Sequence, residues 1–389
     1  AIGVIHHELS HLLVAIFTGA NDRDGVNRAL HTAMLFALVG GAFIMVLGLV
    51  GTEFMLRLMD TPEDTIASSA LYLRIMFMGM VPNMVYNVGS AILRAMGDSK
   101  RPLYFLIVAC LSNVVLDLVF VLVFKMGIAG VAIASILAQA ISAVMVVMSL
   151  SAESMEYRFR FRQMRFEGDI LSRTIRIGLP AGFQSIMYSL SNMLIQASVN
   201  RFGTDTVASW VVLGKVDGIN WMILGALGIA SMTFVGQNYG AGRLDRIQKS
   251  LKLSLLIGLC ISIVFGGALL LFGWPLFGLF TSDDTVLAMS MQLLWYFAPF
   301  YWLFVPIEVI SGALRGMGDT LIPTIITATG ICVFRVAWIY TVVPLHNSMF
   351  TVSLSYPISW VLTAIAFAIY YMIARKKLIA NAPKPRTAE

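Results

Sequence analysis

Asn113 and Asp117 lie four residues apart in Asn113-Val114-Val115-Leu116-Asp117, inside an apolar run over residues 103–124. In a helix that spacing puts the amide and the carboxylate on one face. An ionisable side chain within a membrane span costs about 2.5–3.5 kcal/mol unless it faces a cavity or a partner, so such a residue points to function. Here the carboxylate supplies charge and the amide oxygen a neutral ligand for a cation, and the same carboxylate could carry a proton in the cation's place. Glu308 also falls mid-span. A role toward a cationic substrate or a proton competes there with an ion pair to Lys215 or Arg335. Lys215 and Asp217 are two residues apart, point in different directions on a helix and pair with other helices. Arg335 reads as a structural partner. Tyr188, Trp210, Trp221 and the 23 methionines could line a promiscuous pocket, because methionine adapts its shape and aromatic faces attract cations; packing is their ordinary role.

The elements that must position these groups are membrane helices. At 58% hydrophobic and 12% charged residues, the chain is too apolar for a soluble globular domain. Apolar runs of about 20 residues, enough to span a bilayer, centre on 31–52, 67–92, 103–124, 128–150, 174–200, 206–237, 250–279, 286–314, 322–344 and 352–374. An all-α polytopic protein with ten full helices follows. Gly79, Pro82, Gly178, Pro180, Pro299 and Pro306 lie inside these runs and mark candidate bends. The three cysteines sit singly within spans and form no disulfide framework.

The chain is duplicated. Ile92-Leu93-Arg94-Ala95-Met96-Gly97-Asp98 recurs as Ala313-Leu314-Arg315-Gly316-Met317-Gly318-Asp319, with Pro102 and Pro323 following, and Gly19-Ala20 recurs as Gly240-Ala241 at the same offset of 221 residues. Repeated halves are a construction common among secondary transporters. Gly97 and Gly318 can close a turn after one helix and Pro102 and Pro323 can open the next, so Arg94, Asp98, Arg315 and Asp319 read as parts of a tight structural loop in which the arginine and the acid can pair. The halves diverge at the acid: the offset takes Asn113 and Asp117 to Phe334 and Trp338, and takes Asn87 to Glu308.

Basic residues cluster in alternate connections: Arg23 and Arg28, then Arg94, Lys100 and Arg101, then Arg158 to Arg165, then Arg243 to Lys252, then Arg375 to Lys377. The positive-inside rule puts these, and the C-terminus, in the cytoplasm, which makes a multi-pass protein of the cell (inner) membrane. The net charge of +6 is mostly this bias and calls for no nucleic-acid partner. The alternating basic and aromatic residues of 158–165 read as an interfacial linker. The division expected is 1–150 for an N-terminal lobe, 151–172 for the inter-lobe linker, 173–376 for a C-terminal lobe and 377–389 for a cytoplasmic tail. Applying the offset to the second lobe places the expected start of the first about 50 residues before Ala1. The first helix and most of the second would then lie upstream, leaving residues 1–18 as a stub.

The Leu-Arg-x-x-Gly-Asp-x-x-x-Pro motif in each half, Gly236-Gln237-Asn238-Tyr239-Gly240-Ala241-Gly242 before Arg246, and Tyr356-Pro357-Ile358-Ser359-Trp360 resemble the multidrug and toxic compound extrusion family over about residues 17–376. The resemblance implies two pseudo-symmetric six-helix bundles facing each other across a V-shaped cleft. It also implies export of amphiphilic, mostly cationic drugs by antiport with Na+ or H+, without a cofactor and without enzymatic chemistry. It places Asn87 and Ser135 beside Asn113 and Asp117 as ligands of a first-lobe cation site, which could hold Na+. Some relatives carry an acid on the seventh helix, near where this chain has Gln184; that departure weighs against a second-lobe ion site. Lipid-linked oligosaccharide flippases share the wider fold and form the alternative transport reading, disfavoured by an inferred cavity whose charges are Asp117 and Glu308.

An enzymatic reading competes at the N-terminus. His7-Glu8-Leu9-Ser10-His11 fits H-E-x-x-H, the helical zinc motif with two histidine ligands and a glutamate base, and resembles the motif helix of intramembrane metalloproteases. The third ligand and the remaining context of those proteases are missing.

Overall fold

The computed structural model describes residues 12–58, 62–152 and 157–380, which are helical without a strand. His7, Glu8 and His11 lie outside them. The chain divides into two compact units, Ile2–Gly178 and Leu179–Glu389, here the first and second lobe.

In the first lobe a helix α1 over residues 12–19 precedes α2 (Arg23–Leu58), α3 (Glu63–Met78), α4 (Met80–Ala95), α5 (Lys100–Leu118) and α6 (Gly127–Ser151). Leu13, Val14 and Ala15 of α1 are part of the lobe's core, with Met34 of α2, Ile92 of α4 and Val146 of α6. The connector after α6 is not a free linker. Phe159 is 2% exposed in the same core, its amide donates to the Leu150 carbonyl at 2.8 Å, and its ring stacks on His31.

The second lobe holds most of α7 (Gly168–Val199), then α8 (Thr204–Gly240), α9 (Leu244–Gly278), α10 (Asp284–Phe297), α11 (Val305–Gly316), α12 (Leu321–Thr327), α13 (Phe334–Thr341) and α14 (Met349–Ala380). Its centre is α8, which packs on α9, α10 and α11. Hydroxyls tie these helices without apolar driving force between them: Ser209 Oγ donates to the Val286 carbonyl at 3.1 Å, and Ser231 Oγ to that of Val309 at 3.2 Å.

Among the described residues eight helices are long and apolar enough to cross a membrane, nine if α3 and α4, bent by 42°, count as one span. Of the ten runs read from sequence, the one over 174–200 does form a helix, α7, but Gln184, Ser185, Ser189, Ser191 and Asn192 make it less apolar than the rest. Large apolar side chains such as Val50, Leu271 and Met222 stand exposed along these helices, as lipid contact requires. The bends fall at corresponding places. Gly79 separates α3 from α4, and the offset takes it to residue 300, inside the 3-10 turn Ala298–Phe304 that separates α10 from α11. Pro299 and Pro306 account for the second break, since neither can donate a backbone hydrogen bond. Pro180 is absorbed within a continuous α7.

Candidate functional site

The first-lobe acid sits at an irregularity. Asp117 is the penultimate residue of α5, and the helix continues as a π-helical turn, Val119–Val123. Such turns are frequent at functional sites, because the wider turn redirects side chains. Although α5 buries only Pro102, Phe105 and Ala109, Asn113 Nδ2 and Asp117 Oδ1 are both buried and have no hydrogen-bond partner. Leaving a polar atom buried and unpaired costs about 1–3 kcal/mol, more for a charged one. Turning the Asn113 amide over exchanges its oxygen and nitrogen at unchanged volume. An amide oxygen would then stand one helical turn from the carboxylate, a donor set suited to a hard monovalent cation or a proton.

The other two members of the expected set lie on the neighbouring helices. α4, which carries Asn87, and α5 both pack on α6, which carries Ser135. All four side chains are at least partly buried. Asn87 is committed within its own helix, its Nδ2 donating to the Asn83 carbonyl at 2.8 Å and to Asn83 Oδ1 at 3.0 Å. No hydrogen bond joins Asn87 or Ser135 to the α5 pair among the described residues.

The second lobe has filled the equivalent position with rings: Phe334 and Trp338 lie 5.7 Å apart, and Trp338 Nε1 donates to the Thr351 carbonyl at 2.9 Å. Its acid is elsewhere. Asp217 on α8 accepts a hydrogen bond from the Tyr301 hydroxyl, within the 3-10 turn. One turn further along α8, Asn220 is 0% exposed and neither its oxygen nor its nitrogen has a partner. Trp221, Tyr301, Tyr356 and Trp360 close around this acid, the Trp221 and Trp360 centroids 5.7 Å apart. Sequence reading missed Tyr301 and Asn220, and met Trp360 only as part of the family motif. Asn220 could have been found by the rule that singled out Asn113, since Asp217 and Asn220 are three residues apart on one helix.

This acid gives a test of its own. Tyr301→Phe removes one donor from a carboxylate inside a span and should lower stability by about 1–2 kcal/mol, read as a reduced melting temperature in detergent. Asp217→Asn keeps an oxygen for the Tyr301 hydroxyl without the charge and should melt at least as high as the parent. A lower melting temperature for Asp217→Asn than for Tyr301→Phe would show that the charge is compensated by something else.

The remaining side chains are distributed among structural tasks. The Lys215 ammonium lies over the Phe280 ring, 5.3 Å from its centroid, near the end of α9. Arg335 is 5% exposed, donates from Nε to Ser359 Oγ at 3.0 Å and lies 3.8 Å over the Tyr356 ring. Tyr188 is in the electrostatic reach of Glu308, Arg335 and Arg315. Gln184 accepts from Arg315 Nη2 at 2.8 Å, which ties α7 to the repeated loop motif. Glu308, in the first turn of α11, lies against the Gly228 backbone: a Cβ on that glycine would come within 2.7 Å of the Glu308 carboxylate.

The repeated loops are two copies of one cap. Asp98 N donates to Leu93 O at 2.9 Å and Gly97 N to Arg94 O at 2.9 Å; Asp319 N donates to Leu314 O at 3.0 Å and Gly318 N to Arg315 O at 2.8 Å. Gly97 and Gly318 have φ of 93° and 90°, the left-handed conformation this double bond requires. The acids then part ways. Asp98 Oδ1 accepts from the Lys100 and Arg101 amides and its Oδ2 pairs with Arg101 Nε at 3.2 Å, so an arginine that engages it stands after it in the chain. Asp319 accepts from the Tyr370 hydroxyl of α14.

These features agree with what the chain is similar to. The MatE family model matches residues 11–119 and 180–341, one segment in each lobe. The chain is 28% identical over 385 residues to the probable multidrug resistance protein YoeA of Bacillus subtilis, covering 95% of this chain and 81% of that protein. It is 30% identical over 330 residues to the probable multidrug resistance protein YpnP of the same organism, covering 84% and 73%. A solved MOP superfamily transporter from Pyrococcus furiosus shares the fold with a TM-score of 0.91 at 19% identity, over 97% of this chain and 85% of that one. With duplicated lobes, capped loop motifs and both matched segments in place, the chain belongs to the MatE family of multidrug efflux transporters.

Proposed function

We propose that this protein is a secondary antiporter that exports amphiphilic, mostly cationic compounds in exchange for Na+ or H+, with Asp117 as the ion-coupling carboxylate. The observation that carries this is the buried, unpartnered pair of Asn113 Nδ2 and Asp117 Oδ1 beside a π-helical turn in a membrane span. A carboxylate there needs a compensating positive charge, and a coupling ion supplies one reversibly. Asn87 and Ser135 on the flanking helices would complete the oxygen ligands if their rotamers turn toward α5. Asp217, set among rings that suit flat organic cations, is the second-lobe acid that would meet a cationic cargo, with Glu308 on α11 as the other acid of that lobe. The alternate clustering of basic residues supports a cytoplasmic C-terminus in the cell membrane.

Ethidium efflux from cells stripped of their own pumps tests this directly. The protein should accelerate ethidium loss when an inward sodium gradient is imposed, or when an inward proton gradient is imposed in its place. The absence of acceleration under either gradient, with the protein inserted at normal abundance, would sink the antiport reading.

A further inference from the structure

One feature of the first lobe is left unused by transport. The connector after α6 is fastened along the start of α2 by two buried side chains: His31, 3% exposed, accepts on Nε2 from the Arg160 amide at 3.1 Å, and Thr32, 1% exposed, donates to the Arg165 carbonyl at 3.2 Å and accepts from the Glu167 amide at 3.4 Å. His31 Nδ1 bonds the Asn27 carbonyl at 2.8 Å, so the ring is neutral and acts as a brace. Between connector and helix this fastening leaves a cavity of about 340 Å³ lined by Asn27, Arg28, His31, Arg162, Arg165 and Glu167, among others.

The cavity is positively charged beyond its own needs. Glu167 is occupied by Arg165. Arg28 reaches Asp169 only at 3.5 Å, and its Nε is buried without a partner. Arg162 is exposed and has no hydrogen bond or ion pair among the described residues. The Arg28 Nε and the whole Arg162 guanidinium are therefore left to meet an anion, and a guanidinium fork fits phosphate oxygens. The flanking Phe161 and Phe166, 61% and 45% exposed, stand beside this charge at the arginine-rich end of the lobe. A soluble anion has no use for them, whereas a lipid brings glycerol and acyl chains to the same spot.

We propose that this cavity binds the phosphate of an anionic phospholipid headgroup, held by Arg28 and Arg162, with Phe161 and Phe166 in the adjoining lipid. Basic pockets on the cytoplasmic side of membrane proteins recognise such headgroups, and the charge bias of the loops assigns this end to the cytoplasm.

Native mass spectrometry of the purified, delipidated full chain tests it, with phosphatidylglycerol, phosphatidylcholine and inorganic phosphate added separately and phosphate also added in competition. Phosphatidylglycerol should be retained in preference to phosphatidylcholine, and Arg162→Gln should weaken its retention about fivefold. The exposed side chain of Arg162 makes no fold-bearing contact, so loss of folding is not the expected result. Arg28→Gln is the second variant, and Lys376→Gln, at the end of α14, controls for general surface charge. Equal retention of the two lipids, an equal effect of Lys376→Gln, full retention in the Arg28→Gln and Arg162→Gln double variant, or displacement of the lipid by inorganic phosphate at equal concentration would each overturn the proposal.

Discussion

Asp117→Asn should bring gradient-driven ethidium efflux down to the level of cells lacking the protein, with its abundance in the membrane unchanged. The substitution is nearly isosteric, so packing at the end of α5 is preserved. It removes the one charge on that face of the helix. In the parent, the buried Oδ1 has no partner and Asn113 Nδ2, one turn earlier, has none either. A neutral amide at 117 can bond its neighbour at 113 and close the gap without an ion. The variant should therefore be at least as stable as the parent while being unable to couple. Asn113→Ala should give a milder loss, since the charge remains and only a neutral ligand goes. Efflux by Asp117→Asn equal to that of the parent under the same sodium or proton gradient would remove Asp117 from the mechanism and turn attention to Asp217.

Contacts local in sequence were legible before any coordinates. The two Gly-Asp loops fold as the spacing implied, because the cap depends on one left-handed glycine and two amides within six residues, all inside the motif itself. The pairing of Asn113 with Asp117 on one face of α5 follows from periodicity for the same reason. What the sequence concealed depends on chain returning from far away. Tyr301 meets Asp217 across 84 positions, from within the 3-10 turn that replaces α-helix at 298–304. The prolines announced a bend there without saying which side chain it would re-aim. The connector's attachment was hidden for a related reason. Alternating Arg and Phe in 158–165 look like a solvated or interfacial strip, but His31 and Thr32, more than 120 residues earlier, pin its backbone and draw Phe159 into the core. A histidine near the start of an apolar run gives no sign that its ring nitrogen will be claimed by a backbone amide.

Gly312→Ala should abolish most folded protein, measured as the fraction that survives detergent extraction as a monodisperse peak. α11 and α8 approach through glycine at two successive turns. A Cβ at 312 would lie 2.4 Å from the Gly228 carbonyl oxygen, and one at 316 would lie 2.7 Å from the Met232 carbonyl oxygen. Small residues at four-residue spacing let membrane helices touch backbone to backbone, and here the obstructing atoms are themselves backbone. A flexible side chain can rotate away from an added methyl for about 1–3 kcal/mol, but a carbonyl can move only with its helix, so the cost should exceed that range. Gly225→Ala is the control, because its Cβ meets nothing within 4 Å and it lies on the same α8. The first lobe shows that the constraint belongs to this pairing and is not a property of the repeat: the offset takes 312 and 316 back to Ala91 and Ala95, both 0% exposed and each carrying its Cβ without difficulty. The close approach has a functional correlate, since the same Gly228 that receives Gly312 also lies beneath the Glu308 carboxylate. Pushing α11 off α8 would displace that acid together with the fold. Should Gly312→Ala extract as well as Gly225→Ala, the two helices have room to separate, and the position of Glu308 is set by something other than this contact.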